Sequence, residues 1–117
     1  MMTSLLNCTE HDVVITFGRK QFTIKPCGVC PRVESRTSIE GMVGAIPIMS
    51  VDLYGISDLP DKQEGTLLIV SRMVADAGQG LGRDDLVYPV NLIRDDKGRV
   101  VGAEGLGYTK RKESDGQ

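Results

Sequence analysis

Four side chains able to ligate a metal stand in two matched pairs, Cys8-x-x-His11 and Cys27-x-x-Cys30. Zinc takes four such ligands at tetrahedral positions, and a hairpin turning near Gly18 to Lys20 brings the two pairs alongside one another. The bland alternative is that Cys8 and Cys30 are small buried side chains, that Cys27 occupies a turn and that His11 bonds locally at a strand entrance. The expectation taken forward is a protein without stoichiometric zinc. A second constellation is richer in charge. Arg83, Asp84, Asp85, Arg94, Asp95, Asp96 and Arg99 crowd into an otherwise apolar stretch, with Asn91 between the two Arg-Asp groups. A guanidinium fixed by a nearby carboxylate is well suited to a phosphate or carboxylate. Arg83 and Arg94 are therefore candidate anion contacts, Asp85 and Asp95 their positioning partners, and Asn91 the group that reads a base or ribose edge.

Other chemistry is less well supplied. Gly78-Gln79-Gly80-Leu81-Gly82 has the glycines of a loop that could close over an anion. Yet the residues after it read as a strand rather than the opening of a helix, and no Walker lysine follows. His11 is the only imidazole, and no spacing ties it to Cys27, Cys30 or Ser71 as a nucleophile and base. Asp84, Asp85, Asp95 and Asp96 could hold a divalent metal with His11 moving protons, which would make a phosphate-processing enzyme. That is the alternative to a binding protein that needs no cofactor and performs no catalysis. A virion or assembly component is a third class.

The elements that must position these groups are short. Val13 to Phe17 and Gln21 to Lys25 are β-rich runs around Gly18-Arg19-Lys20, the pattern of a hairpin. Val29 to Glu34 reads as extended, Ser35 to Gly44 as a polar connection, and Ile46 to Leu53 as a strand that Pro47 confines to an edge. Thr66 to Val70 is the candidate central strand. Ser71 caps a helix predicted over Arg72 to Ala77, with Gly78 as its stop. Leu86 to Tyr88 and Leu92 to Arg94 are short apolar pieces, and Asp95-Asp96-Lys97-Gly98 turns the chain into Arg99 to Ala103. The fold class is thus α/β of the α+β type: a small, mostly antiparallel domain of short strands with one short helix. Residues 1–108 form a single domain, and residues 109–117 form a charged tail with nothing apolar to bury.

Composition narrows the function. The chain has 117 residues, enough for one core. Its aromatic content of 4% and absence of Trp leave few stacking residues, and a net charge of -2 argues against direct nucleic-acid binding. An acidic protein can still gather arginines around one small anion. No apolar run is long enough for a membrane span, and the amino terminus lacks a basic leader, so the expected compartment is the cytoplasm. Three cysteines, an odd number, fit reduced thiols there.

The order of motifs along the chain carries further information. Asn7-Cys8-Thr9-Glu10-His11 is followed by Pro26-x-Gly28, Arg32-Val33, Leu59-Pro60, Gly65-Thr66, Ile69-Val70-Ser71 and Val74-Ala75. Arg83-x-Asp85-Leu86, Pro89 and Arg94-Asp95-x-x-Gly98-x-Val100-x-Gly102 complete the set. This combination resembles a family of small phage, prophage and actinobacterial proteins that opens with Asn-Leu-Thr-Pro-His. The sequence departs from that family at Cys8-Thr9-Glu10, and at Cys27 and Cys30, where the family places Ser and Ala. Size and β-rich pattern are also similar to phage Thoeris anti-defence sponge proteins, oligomers that sequester cyclic ADP-ribose-type signals without cleaving them. The resemblance implies a homo-oligomer holding a small anionic, nucleotide-type ligand in the host cytoplasm.

Overall fold

The computed structural model describes residues 4–110. Eight strands and one helix follow in chain order as β1 (Ser4–Asn7), β2 (Val13–Phe17), β3 (Lys20–Ile24), β4 (Arg32–Val43), β5 (Ile46–Ser57), β6 (Thr66–Ile69), α1 (Arg72–Gly80), β7 (Leu86–Arg94) and β8 (Val100–Gly107). The fold class is the small α+β domain expected, with strands dominating and one short helix. Six strands form one mixed sheet in the order β1-β6-β7-β8-β2-β3, while β4 and β5 pair only with each other.

The six-stranded sheet curls until its two edges meet. β1 runs parallel to β6 and β6 parallel to β7, the latter step made by a βαβ unit through α1. β7 and β8 are an antiparallel hairpin, β2 joins β8 in parallel through Ile15 and Ala103, and β3 returns antiparallel on β2. The remaining gap is bridged where Asn7 pairs with Pro26 and the Cys27 amide donates to the Asn7 carbonyl at 2.8 Å. The result is a small barrel closed by a seam.

Alternation along the strands sorts the core into two layers. Val13, Ile15, Ile69, Val87 and Ala103 point into the barrel, joined by Ile24, Leu67 and Leu106. The intervening residues Leu68, Val70 and Leu86 face outward and meet Val74 and Ala75 of α1, with Cys8 beside them. β6 is therefore apolar on both faces because it is covered on both. The Ser71 hydroxyl accepts from the Val74 amide at 3.2 Å and starts the helix, as expected. The helix runs past the predicted stop at Gly78. That glycine serves packing instead: a Cβ there would collide with Leu86 Cδ1.

Three other expectations are corrected. The stretch from Ser35 to Gly44, read as a polar connection, instead supplies most of the twelve-residue strand β4 and the first residue of its turn, because its Ser, Thr and Ile side chains suit a two-stranded ribbon once β5 supplies hydrogen bonds. Gly44, at φ 59°, opens the tight turn at the ribbon's tip. Leu86 to Arg94 is one strand, not two pieces, with Asn91 held at φ 55° in its middle. Thr109, assigned to the charged tail, is hydrogen-bonded to the body, while residues 111–117 lie outside the described residues. Among the described residues, no helix is long and apolar enough to cross a membrane.

Asn7 holds the seam. It is only 1% exposed, its Nδ2 donates to the carbonyls of His11 (2.9 Å) and Ile24 (2.8 Å), and its Oδ1 accepts from the Thr9 amide and hydroxyl. Replacing Asn7 with Ala orphans these buried groups, and thermal unfolding should register a loss of about 3 kcal/mol or more. Asn7→Asp should be no milder, since a carboxylate would face two carbonyl oxygens. A melting temperature unchanged by either substitution would contradict this account of the seam.

Candidate functional site

A cavity of about 540 Å³ opens where the first residues of β6 and β7 meet the last residues of β8, beside α1. Its floor is apolar, formed by Leu67, Leu86, Val87 and Leu106, and its rim carries Asp76, Gln79, Arg83, Asp84, Tyr108 and Thr109. The volume and the contrast between floor and rim are those of a small-molecule site. Hydrogen bonds fix much of the rim. The Thr109 hydroxyl lies 2.6 Å from the Tyr88 hydroxyl and donates to Asp76 Oδ1 at 3.0 Å, while the Gln79 amide donates to the Thr109 carbonyl at 2.8 Å.

Arg83 is the best-anchored cation of the rim. Its Nε and Nη2 donate to the two oxygens of Asp85, both at 2.9 Å, and Nη2 also reaches the Pro60 carbonyl at 2.9 Å. Asp85 is 1% exposed and Arg83 about one-fifth exposed in its side chain. The hydrogen bond to Asp85 raises the Arg83 pKa further above its ordinary value, so the guanidinium stays charged. Nη1 takes no part in these bonds and remains the nitrogen best able to address an incoming acceptor. Beside it Lys62 pairs with Asp84, holding that carboxyl below its ordinary range.

The expected companions of Arg83 are elsewhere. Arg94 ends β7, and eleven residues of largely extended chain put it roughly 30 Å from Arg83. The two arginines therefore do not act on one ligand. Asp95 does not position Arg94 either: its Oδ1 accepts from the amides of Lys97 and Arg99 and its Oδ2 from Arg99 Nε. Those bonds, the Arg99 amide foremost, lower its pKa and shape the turn between β7 and β8. Arg94 donates to the Gly98 carbonyl of the same turn. Asn91 is exposed, and its left-handed backbone explains an Asn there without any ligand. Of the five residues proposed from sequence, Arg83 reaches the cavity rim and Asp85 positions it.

Gly78 to Gly82 is no anion cradle. Residues 78–80 are helical, and the amides of Leu81, Gly82 and Arg83 donate back to carbonyls of Gly78 and Gln79. A helix C-terminus presents partial negative charge and spent donors. The carboxylates proposed for a metal-dependent enzyme are also divided, with Asp84 and Asp85 paired to Lys62 and Arg83 and Asp95 committed to a distant turn. Sequence reasoning passed over Leu106, Tyr108 and Thr109. The only signal for them was an apolar end to β8 just before the charged tail.

At the seam, Cys8 and Cys27 place their sulfurs 3.7 Å apart, yet among the described residues no three His, Cys, Asp or Glu groups converge as a metal site would require. Cys8 is buried, and burial above all, with the neighbouring Cys27 thiol, pushes its pKa up to about 12. Compared with protein-family models, curated proteins and solved structures, the chain matches none.

Two measurements follow from this geometry. Asp85→Ala leaves a mostly buried guanidinium without its partner and should cost about 3 kcal/mol in denaturant unfolding, whereas Arg94→Ala should stay within about 0.5 kcal/mol. Equal effects would contradict the contrast. For Cys8, whose folded pKa lies above the ordinary thiol value of 9.0, the stabilising contribution is complete below pH 9 and declines as pH rises towards about 12. Iodoacetamide should accordingly label exposed Cys27 at pH 8 and spare Cys8, as peptide mass spectrometry can read.

Proposed function

We propose that the chain is a non-catalytic binding protein for one small, nucleotide-type molecule, held in the cavity beside α1. The observation that carries this reading is the cavity itself, with an apolar floor deep enough for a planar base and one anchored guanidinium at its rim. Tyr108, 67% exposed at the mouth, offers an aromatic face to the base, and Arg83 Nη1 offers charge to a phosphate. Asp76 and Asp84 on the same rim disfavour a ligand of high negative charge, so the reading favours a nucleoside derivative with few phosphates. Asp76, Asp84 and Asp85, each engaged with a cation, fit retention of the ligand rather than its cleavage. The resemblance to phage sponge proteins places cyclic ADP-ribose derivatives among the compounds to try.

The test is calorimetry across nucleosides, cyclic nucleotides and ADP-ribose derivatives, with the ligand recovered afterwards and weighed by mass spectrometry. At least one compound should bind stoichiometrically and return intact. Tyr108→Ala should weaken that binding by about 1–3 kcal/mol, the range for a lost base–aromatic stack, without lowering the melting temperature. Arg94→Ala should leave affinity unchanged, being at the far end of β7. Should no compound bind, or should the Arg94 substitution weaken binding as much as the Tyr108 one, the reading fails.

A further inference from the structure

The ribbon formed by β4 and β5 carries more apolar surface than the body can cover. Only its base packs inward, where Val33 and Ile56 join the layer under α1. Beyond that, twelve-residue strands extend on the order of 40 Å as an arm. A two-stranded ribbon is marginally stable by itself in water, and this one is not paired with any other strand.

Its two faces differ in kind. On one face Arg36 bridges Asp52 at 3.2 Å and lies 4.8 Å from the Tyr54 ring centre, and Ser50 donates to Glu40 at 3.2 Å. These groups satisfy one another and suit water. The opposite face presents Ile39, Met42, Pro47, Met49, Val51 and Leu53, with Ser35 and Thr37 as its small polar members and no charge among them. The register explains how the stripe is kept continuous: the irregularity between Ile39 and Gly41 shifts the phase by one residue, so that Met42, opposite Pro47, returns to the side of Ile39. Ile39, Met42, Met49, Val51 and Leu53 are all between 48% and 62% exposed. At the base, Leu53 borders shallow depressions shared with Met73 and Leu81 of α1 and its cap, both 64% exposed.

We propose that this apolar face is where a second copy of the chain docks, two arms lying antiparallel face to face about a two-fold axis. The area fits. Each of these side chains leaves on the order of 100 Å² open, so the stripe with Met73 and Leu81 offers roughly 700–800 Å² per copy, near the value of a standard interface. Monomers rarely expose a contiguous apolar patch that large. An uncharged face meets its own copy without repulsion, which an isologous interface requires. The tip of one arm reaches the Leu53, Met73 and Leu81 surface at the base of the other. A lipid surface is the less favoured occupant, because the stripe runs the length of the arm rather than only its tip.

Sedimentation equilibrium of the full chain, with circular dichroism as a control for folding, tests the proposal. The wild type should sediment as a dimer. The double substitution Ile39→Lys with Val51→Lys sets like charges against each other across the axis and should weaken association about 100-fold or more, with the spectrum unchanged. Ser38→Lys, on the polar face, should leave the dimer intact. Mixing the lysine variant with Ile39→Glu, Val51→Glu protein should restore a heterodimer, which also shows that both variants fold. A monomeric wild type overturns the proposal, and if that monomer pellets with neutral phosphatidylcholine vesicles the face is a membrane-seeking one. Association that survives the lysine substitutions overturns it equally.

Discussion

The buried Asp85 carboxylate and its two-pronged bond to Arg83 are the constraint on which the cavity depends. Asp85 immediately precedes β7, the strand at the middle of the sheet, and its backbone carbonyl also accepts the Leu68 amide at 2.8 Å. Through Arg83 it fastens the end of α1, whose last turn closes on Gly78, and the segment around Pro60. One ion pair thereby sets the distance between helix and sheet at the place where the cavity opens. Such a pair, taken out of water, contributes more to specifying one arrangement than to net stability. An arginine held this way also loses little freedom when it meets a ligand.

Local chemistry made the turns legible in the sequence. Gly18 and Asp95 to Gly98 mark two hairpins, and Ser71 marks the helix start, because each depends on residues within a few positions. The double-sided apolar character of Leu67 to Val70 likewise identified β6 as a strand flanked on both sides. What sequence could not show were the pairings between distant segments. The chain of Ser35 to Gly44 looks like a connection until its partner is known, and the barrel closes through Ile15 with Ala103 and Asn7 with Pro26, contacts no local pattern announces.

The candidate site divides along the same line. Arg83-x-Asp85 is a local pair, and its spacing lets one carboxylate grip one guanidinium whatever the fold. Arg94 and Asp95 looked equivalent in sequence, yet a continuous β7 carries them to the opposite end of the sheet. Asp95 and Asn91 turned out to answer to backbone geometry, one accepting turn amides and the other occupying a left-handed position. The motif at Asn7, Thr9 and His11 is similarly structural, with the imidazole residue contributing its carbonyl rather than its ring.

The seam has a consequence for how the chain is made. The ribosome makes β1, β2 and β3 before the rest of the sheet, but β2 has no neighbour on its other side until β8, which follows β4 to β7, has been made. The β4–β5 ribbon can zip locally in the meantime, since its strands are joined by a two-residue turn. The barrel cannot. Folding that waits for its last strand has a high contact order, and acquires its core slowly and all at once rather than segment by segment. A nascent chain paused before Val100 would thus carry an open, sticky half-sheet beside a ribbon that is only marginally stable by itself, the state in which chaperone protection matters most.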